Sequence, residues 1–274
     1  MHNSGPMRVA VVGHVEWVEF VYADHVPAAG EIVHASPGFE EPAGGGAVGA
    51  AQLARMAGGA ELFTALGEDE LAERTRTRLP ELGVTVHAAV RPGRTRRAFT
   101  VLDARAERTI TTIGERLVPH GDDPLPWELL EGADGVYVTA ADEGALRAAR
   151  RARVVVASPR AGRVLAESGI ALDALIFSER DELESKVAHS LEPRPQLLVA
   201  TRGPDGGRYE TADGHSGTWA PVAPPGPIAD SYGAGDSFAA AVTYGLAAGE
   251  DIEVAVRLGA EAGAASMTRR GPYG

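Results

Sequence analysis

Short apolar runs alternate with amphipathic segments along most of this chain, and that alternation constrains its fold more than any other feature. Val9–Val12, Leu62–Leu66, Gly135–Thr139, Val154–Ala157, Ala174–Phe177 and Leu197–Thr201 read as buried strands. Gly46–Ala57, Glu70–Leu82, Glu143–Ala152, Ala161–Ser168 and Asp181–Leu191 read as the helices between them. The pattern predicts an α/β fold, a central and mainly parallel sheet with helices on both faces. Two stretches break the rhythm. Glu16–His34 and Arg97–Ile113 are rich in Val, Phe, Thr and Ile and read as extended, so strands from each are expected to build a small second sheet. The whole chain, 1–274, is read as one domain.

The run Asp230-Ser231-Tyr232-Gly233-Ala234-Gly235-Asp236-Ser237-Phe238 carries the chemistry. After it, Phe238, Val242 and Leu246 recur at a spacing of four and Gly249 stands where a helix stops, so Ala239–Gly249 reads as a helix. The glycines at 233 and 235 then lie in the turn that opens this helix. With no side chains over them, their backbone N–H groups point along the positive end of the helix dipole and form an anion nest. Asp236 is a carboxylate inside that nest. An aspartate at a helix start is often only a cap. A group meant only to bind phosphate would not add a negative charge there, whereas one meant to take a proton from an attacking hydroxyl would.

Composition narrows the chemistry. The net charge of −12 argues against a nucleic-acid or anionic-membrane partner, so any phosphate site must be local. No cysteine is present, which excludes disulfides, thiolate metal sites and cysteine nucleophiles, and fits a cytoplasmic location. No apolar run is long enough to span a membrane. Among 26 basic residues the only lysine is Lys186, which follows no glycine loop. A P-loop and a lysine Schiff base therefore lack their central residue. Phosphoryl transfer would fall to backbone amides, metal and arginine.

The Asp230–Phe238 run resembles the second signature of the ribokinase-like (phosphofructokinase B-type) sugar kinases, D-T-x-G-A-G-D-x-F, with Ser231 in place of Thr. Further matches follow in family order. Gly44-Gly45-Gly46-Ala47 is similar to the N-terminal glycine pair, and Leu62–Asp69 to the strand ending in V-G-x-D. Thr201–Gly207 is similar to the nucleotide loop, and Asp251–Gly271 to the closing helix. The resemblance implies ATP-dependent phosphorylation of a hydroxyl on a small sugar or sugar-like substrate. Asp236 would be the general base, with the backbone of Gly233, Ala234, Gly235 and Asp236 as the anion hole. Thr201, Arg202, Gly203 and Gly206 would line the nucleotide, and Glu16, Gly44, Gly45 and Asp236 the acceptor. Ser178 and Asp181 stand where the family orients Mg2+, and Asp230 where it supports a monovalent cation such as K+. Strands within 14–40 and 94–114 would form a lid over the sugar, which can also join two copies into a homodimer.

The chain departs from the family at instructive places. The metal-orienting N-x-x-E appears as Ser178-Glu179-Arg180-Asp181. Polar residues expected near the sugar appear as Val18 and Val48, which leaves Glu16 as the carboxylate to grip hydroxyls. His14 borders this pocket and reads as structural. A nucleoside kinase of the same fold, or a kinase-like binding or regulatory protein without turnover, are the rival readings. A dinucleotide oxidoreductase ranks below both, because no G-x-G-x-x-G follows the first strand.

Overall fold

The computed structural model describes residues 5–103 and 107–274. Its larger sheet has nine strands, and its order is followed outward from β1 (Val9–Val12), the third strand from one edge. To one side lie β4 (Ala60–Leu66) and β5 (Val84–Val90). To the other lie β8 (Gly135–Val138), β9 (Val154–Ala157), β10 (Ala174–Ser178) and β11 (Leu197–Thr201), all parallel. An antiparallel hairpin, β12 (Gly207–Thr211) and β13 (Ser216–Trp219), closes that edge. The predicted mainly parallel sheet is present.

Alternation along β1 divides the core. Val9 and Val11 face α1 (Gly44–Ala57), α6 (Ala234–Ala248) and α7 (Ile252–Ser266), with Leu53, Val242 and Val256 packed against them. Ala10 and Val12 face α3 (Glu143–Ala149) and α5 (Glu182–Ser190), in a cluster with Leu146 and Ala188. Helix α2 (Glu70–Glu81) contributes Leu79 to the first layer. Both faces are thus covered, as parallel strands require.

A four-stranded sheet lies beside this body, in the order β3 (Ser36–Ala43), β2 (Glu16–Tyr22), β6 (Arg97–Leu102), β7 (Arg108–Ile113). It is mixed: β2 and β6 run parallel, and the outer pairs antiparallel. Val18, Phe20, Ala98 and Leu102 bury one face against Val48 and Tyr232. Phe20 stacks on Phe39 at 4.6 Å and meets Tyr232 edge-on at 5.0 Å.

Several predicted boundaries shift. The extended reading of Glu16–His34 holds only to Tyr22, where Pro27 and Gly30 follow in irregular chain. The predicted helix Ala161–Ser168 reduces to a 3-10 turn, Pro159–Ala161, and the short α4 (Val164–Glu167), with Gly162 breaking the run. Strand β5 has an exposed or half-exposed middle and gave no apolar run to find. Helix α6 begins at Ala234 rather than Ala239, which draws Asp236 into its first turn.

Candidate active site

The strand order reverses at β1. The chain lays down β4 and β5 on one side of it and returns with β8 on the other. Such a switch point opens a crevice at the carboxyl ends of the strands, because the connections leave in opposite directions. A cleft of about 900 Å³ lies there. His14 follows β1, Thr139 follows β8, Arg160 lies beyond β9, and Ser178 and Thr201 end β10 and β11. Arg108, Ile110 and Thr112 of β7 also line it.

Asp236 stands in this cleft, inside the first turn of α6. The helix is capped by Gly233, at φ +77°, and no side chain caps it. Asp236 is therefore no N-cap aspartate. A Cβ at Gly233 would lie 2.8 Å from Val48 Cγ1, so both conformation and space demand glycine there. The Tyr137 hydroxyl, from β8, donates to Asp236 Oδ1 at 3.1 Å. Burial pushes the Asp236 carboxyl above the ordinary carboxylate range, opposed by the Arg160 charge and the Tyr137 bond. A proton acceptor with a raised pKa is a stronger base than a surface aspartate.

The glycine run brings α1 against this carboxylate. A Cβ at Gly45 would lie 2.9 Å from Asp236 Oδ1, and one at Gly44 would lie 3.1 Å from His14 Nε2 and 3.3 Å from Glu16 Cγ. Gly46 instead packs on the backbone of Gly13 and His14. The run thus divides between lining the cleft and close packing.

Glu16 is 6% exposed and borders the cleft, with Arg96 Nε 3.2 Å from its Oε2. Burial raises its pKa, against the lowering influence of Arg96 and Arg116. His14 is buried and held neutral, its pKa lowered to about 3 by desolvation and then by Arg116 and Arg96. Its Nδ1 has no hydrogen-bond partner among the described residues. Glu16→Ala is expected to leave Arg96 without its counter-charge and to cost about 1–3 kcal/mol of stability. Thermal denaturation checks this, and an unchanged midpoint would mean that the pair contributes nothing to the fold.

Val18 and Val48, read from the sequence as depleting the pocket of polar groups, do not line it. Both are buried beneath the small sheet. The cleft is polar for a different reason: Arg96, Arg108, Arg116, Arg160 and Arg180 all border it. Sequence reasoning foresaw that arginine must replace lysine but could not say which of the arginines converge. Tyr137, at the end of an apolar strand, was missed entirely.

Of the residues proposed for the nucleotide, Thr201 and Gly203 line the cleft and Arg202 and Gly206 do not. Arg202 Nε donates to Glu179 on the outer side. Gly206, at φ +76°, turns the chain beneath the Trp219 carbonyl. Ser178 and Asp181 both line the cleft. Asp181 Oδ1 caps α5 through Leu183 N and Glu184 N at 3.0 and 3.2 Å, which leaves Oδ2 beside Arg160 at 4.0 Å. Glu184, three residues on, is buried, accepting from Ser178 N at 2.9 Å and pairing with Arg160 Nε at 2.8 Å. Ala234 and Asp230 lie outside the cleft lining. The Asp230 carboxylate is 1% exposed and accepts from Tyr232 N at 2.7 Å and Gly271 N at 3.1 Å.

A large, mainly parallel sheet covered on both faces, with a glycine-capped helix at its switch point, places the protein among α/β folds that bind ligands at the carboxyl ends of their strands. The chain belongs to the pfkB family of carbohydrate kinases, which matches residues 7–274; its members are phosphotransferases that act on an alcohol group. The fold is similar to ribokinase from Thermotoga maritima, at TM-score 0.78 and 23% identity over 97% of this chain and 95% of that one. It is also similar to Arabidopsis thaliana ribokinase complexed with ribose and ATP, at TM-score 0.77 and 20% identity over 97% and 94%. Adenosine kinase from Sinorhizobium meliloti shares the fold at TM-score 0.78 and 16% identity over 98% and 96%. The acarbose 7(IV)-phosphotransferase of Actinoplanes sp. is 44% identical over 79 residues, 27% of this chain, so the match spans only a quarter of that relative's length. Among the described residues no helix is long and apolar enough to cross a membrane.

Proposed function

We propose that this protein transfers the γ-phosphoryl group of ATP to a hydroxyl of a small sugar or sugar-like acceptor, with Asp236 as general base. The observation that carries the reading is the placement of Asp236: a half-buried carboxylate in a glycine-capped helix start, bonded by Tyr137 and facing the cleft. The acceptor oxygen attacks the γ-phosphorus, its proton passes to Asp236, and the bond from phosphorus to the β–γ bridging oxygen breaks to release ADP. The N–H groups of Gly233–Asp236 stabilise charge developing on the transferred group. Nothing lies within 4 Å of a Cβ built at Gly235, so the approach to these amides is open. Thr201 and Gly203 line the same cleft and would contact the nucleotide.

Ser178 and Asp181, whose Oδ2 faces Arg160 at 4.0 Å and accepts no backbone N–H, fit the task of holding a magnesium-bound water. When bound, the metal would supply positive charge that offsets part of the charge of the phosphates. The Asp230 loop fits a monovalent cation poorly. Both carboxylate oxygens accept backbone N–H groups, and Arg108 already donates to the Ser231 carbonyl at 2.9 Å. No step is routed through such a cation. The small sheet, whose β7 borders the cleft, would serve as a lid that excludes water on closure. Pairing of two copies through that sheet is the expected assembly.

ATP consumption and product mass over a panel of sugars, sugar derivatives and nucleosides test the reading. Turnover with any of them supports it, and ligand binding with no phosphorylated product would favour a binding protein without turnover. The pH profile offers a second check. Asp236 acts only when deprotonated, and its pKa is raised by burial. The acid limb of kcat/KM is therefore expected to fall at a pH above the ordinary carboxylate range. A limb at the usual aspartate pKa would contradict the burial of this group.

A further inference from the structure

The arginines of the cleft are not equally compensated. Arg160 pairs with Glu184 at 2.8 Å, Arg180 with Asp205 at 2.6 Å and Arg96 with Glu16 at 3.2 Å. Elsewhere Arg78, Arg91 and Arg150 each hold a carboxylate at 2.6–2.9 Å. Arg116 does not. Among the described residues no carboxylate lies within ion-pair distance of it. Its Nη1 donates to the Arg160 carbonyl at 2.7 Å, which fixes the guanidinium without neutralising it.

Arg116 is half-buried on the cleft wall; burial and repulsion from Arg96 lower its pKa, attraction to Glu16 offsets part of this, and Arg160 adds a smaller repulsion. Three guanidiniums therefore share one end of the cleft. Glu16 is the counter-charge for Arg96, Glu184 that for Arg160, and His14 is neutral. A partly desolvated cation beside two others costs free energy unless an anion approaches it. In a chain with 38 acidic residues and a net charge of −12, a half-buried arginine with no carboxylate in direct contact is not a consequence of a general shortage of carboxylates.

Arg116 touches two neighbourhoods: its Nη1 donates to the carbonyl of Arg160, which lies beside Glu184 and Asp181, and its charge also reaches the glycine run at the start of α1. Arg116 and Arg96 both act electrostatically on His14 and Glu16, and those two residues pack against Gly44 at the start of α1. Thr201 and Gly203, at the end of β11, lie beside Arg180 instead. Asp236 stands next to Gly45, one residue on from the His14–Glu16 contact.

Resting on the kinase reading above, the geometry points to an acceptor that carries its own anionic group, a phosphate or a carboxylate, held by Arg116 and Arg96 at the His14–Glu16 end of the cleft. The acceptor is then a sugar phosphate or a sugar acid, not a neutral sugar. A guanidinium presents paired N–H donors to either anion, so it would orient the acceptor as well as attract it. Fixing the charged end would leave a hydroxyl elsewhere on the molecule to meet Asp236.

The test uses the full chain with ATP and three matched sets of acceptors: neutral sugars, their phosphomonoesters and their carboxylic acids. The expected result is kcat/KM at least about a hundredfold higher for one charged set than for its neutral parents, and which set responds distinguishes phosphate from carboxylate. Arg116→Gln should then raise the acceptor KM about ten- to a hundredfold, with Arg116→Lys recovering part of the loss. The Kd of an unhydrolysable ATP analogue should stay within about twofold. The melting temperature should not fall, since no counter-charge is orphaned.

Equal use of neutral and charged acceptors would overturn the inference while leaving the kinase reading intact. A rise in the analogue's Kd matching the rise in acceptor KM would also overturn it, by assigning Arg116 to the nucleotide. If no acceptor turns over, the kinase reading is what has failed, and binding still decides the anion site. Inorganic phosphate titrated calorimetrically, with the ATP analogue present, should bind the wild type more tightly than Arg116→Gln. Indistinguishable affinities would overturn the site.

Discussion

Asp236→Asn is expected to lower kcat by about 10²–10⁴ while leaving the affinity for ATP nearly unchanged, because it removes the base and keeps the shape. The amide oxygen can still accept the Tyr137 hydroxyl, now 3.1 Å from Oδ1. Stability should move the other way. The folded carboxyl has a pKa raised by burial above its unfolded value. Between those two values the folded state binds more protons than the unfolded one, so this group's contribution to stability falls as pH rises through the folded pKa. The asparagine variant escapes that loss and should melt no lower than the wild type at about neutral pH. Single-turnover kinetics and thermal melts together check the pair of outcomes. Near wild-type turnover would remove Asp236 from the mechanism.

Gly235→Val is expected to weaken ATP binding by about ten- to a hundredfold, the loss of one charge-assisted hydrogen bond or more. Its effect on the fold should be small by comparison. The positive φ in this turn belongs to Gly233, at +77°, whereas Gly235 lies in the helix and its Cβ would meet nothing within 4 Å. Valine there projects into the cleft in front of the amides rather than into the protein. Calorimetry with an unhydrolysable ATP analogue measures the first effect and circular dichroism the second. Wild-type affinity in this variant would mean that the helix start does not hold phosphate. Gly233→Val offers the contrast: strained backbone and contact with Val48 should destabilise the protein itself.

Glu16 shows how far a sequence reading of the site carries and where it stops. Its position just after the first buried strand marked it as a candidate for the pocket, and it does border the cleft. The resemblance to the sugar kinases placed Val18 there too, and residues two apart on a strand are expected to share a face. They do share it, but Val48 and Tyr232 cover that face at Val18 and leave it open at Glu16. Parity along a strand is legible in one dimension, whereas the extent of a neighbour's cover is not. Arg96 beside Glu16 belongs to the same category, because nothing in the residues around position 96 announces a partner on β2.

The order of apolar runs and helices, the glycine-capped start of α6 and the carboxylate within it are determined by the sequence itself. Each depends on residues close together in the chain, through periodicity, conformational freedom or the geometry of a single helix turn. Only the tertiary structure decided what meets that carboxylate. Tyr137 is 99 residues from Asp236 along the chain, and the two touch because β8 lies beside β1 with α6 packed over it. Strand order and register bring such distant groups together, and apolar runs of similar composition do not encode which strand lies next to which. The gathering of Arg96, Arg116 and Arg160 at one end of the cleft is decided in the same way.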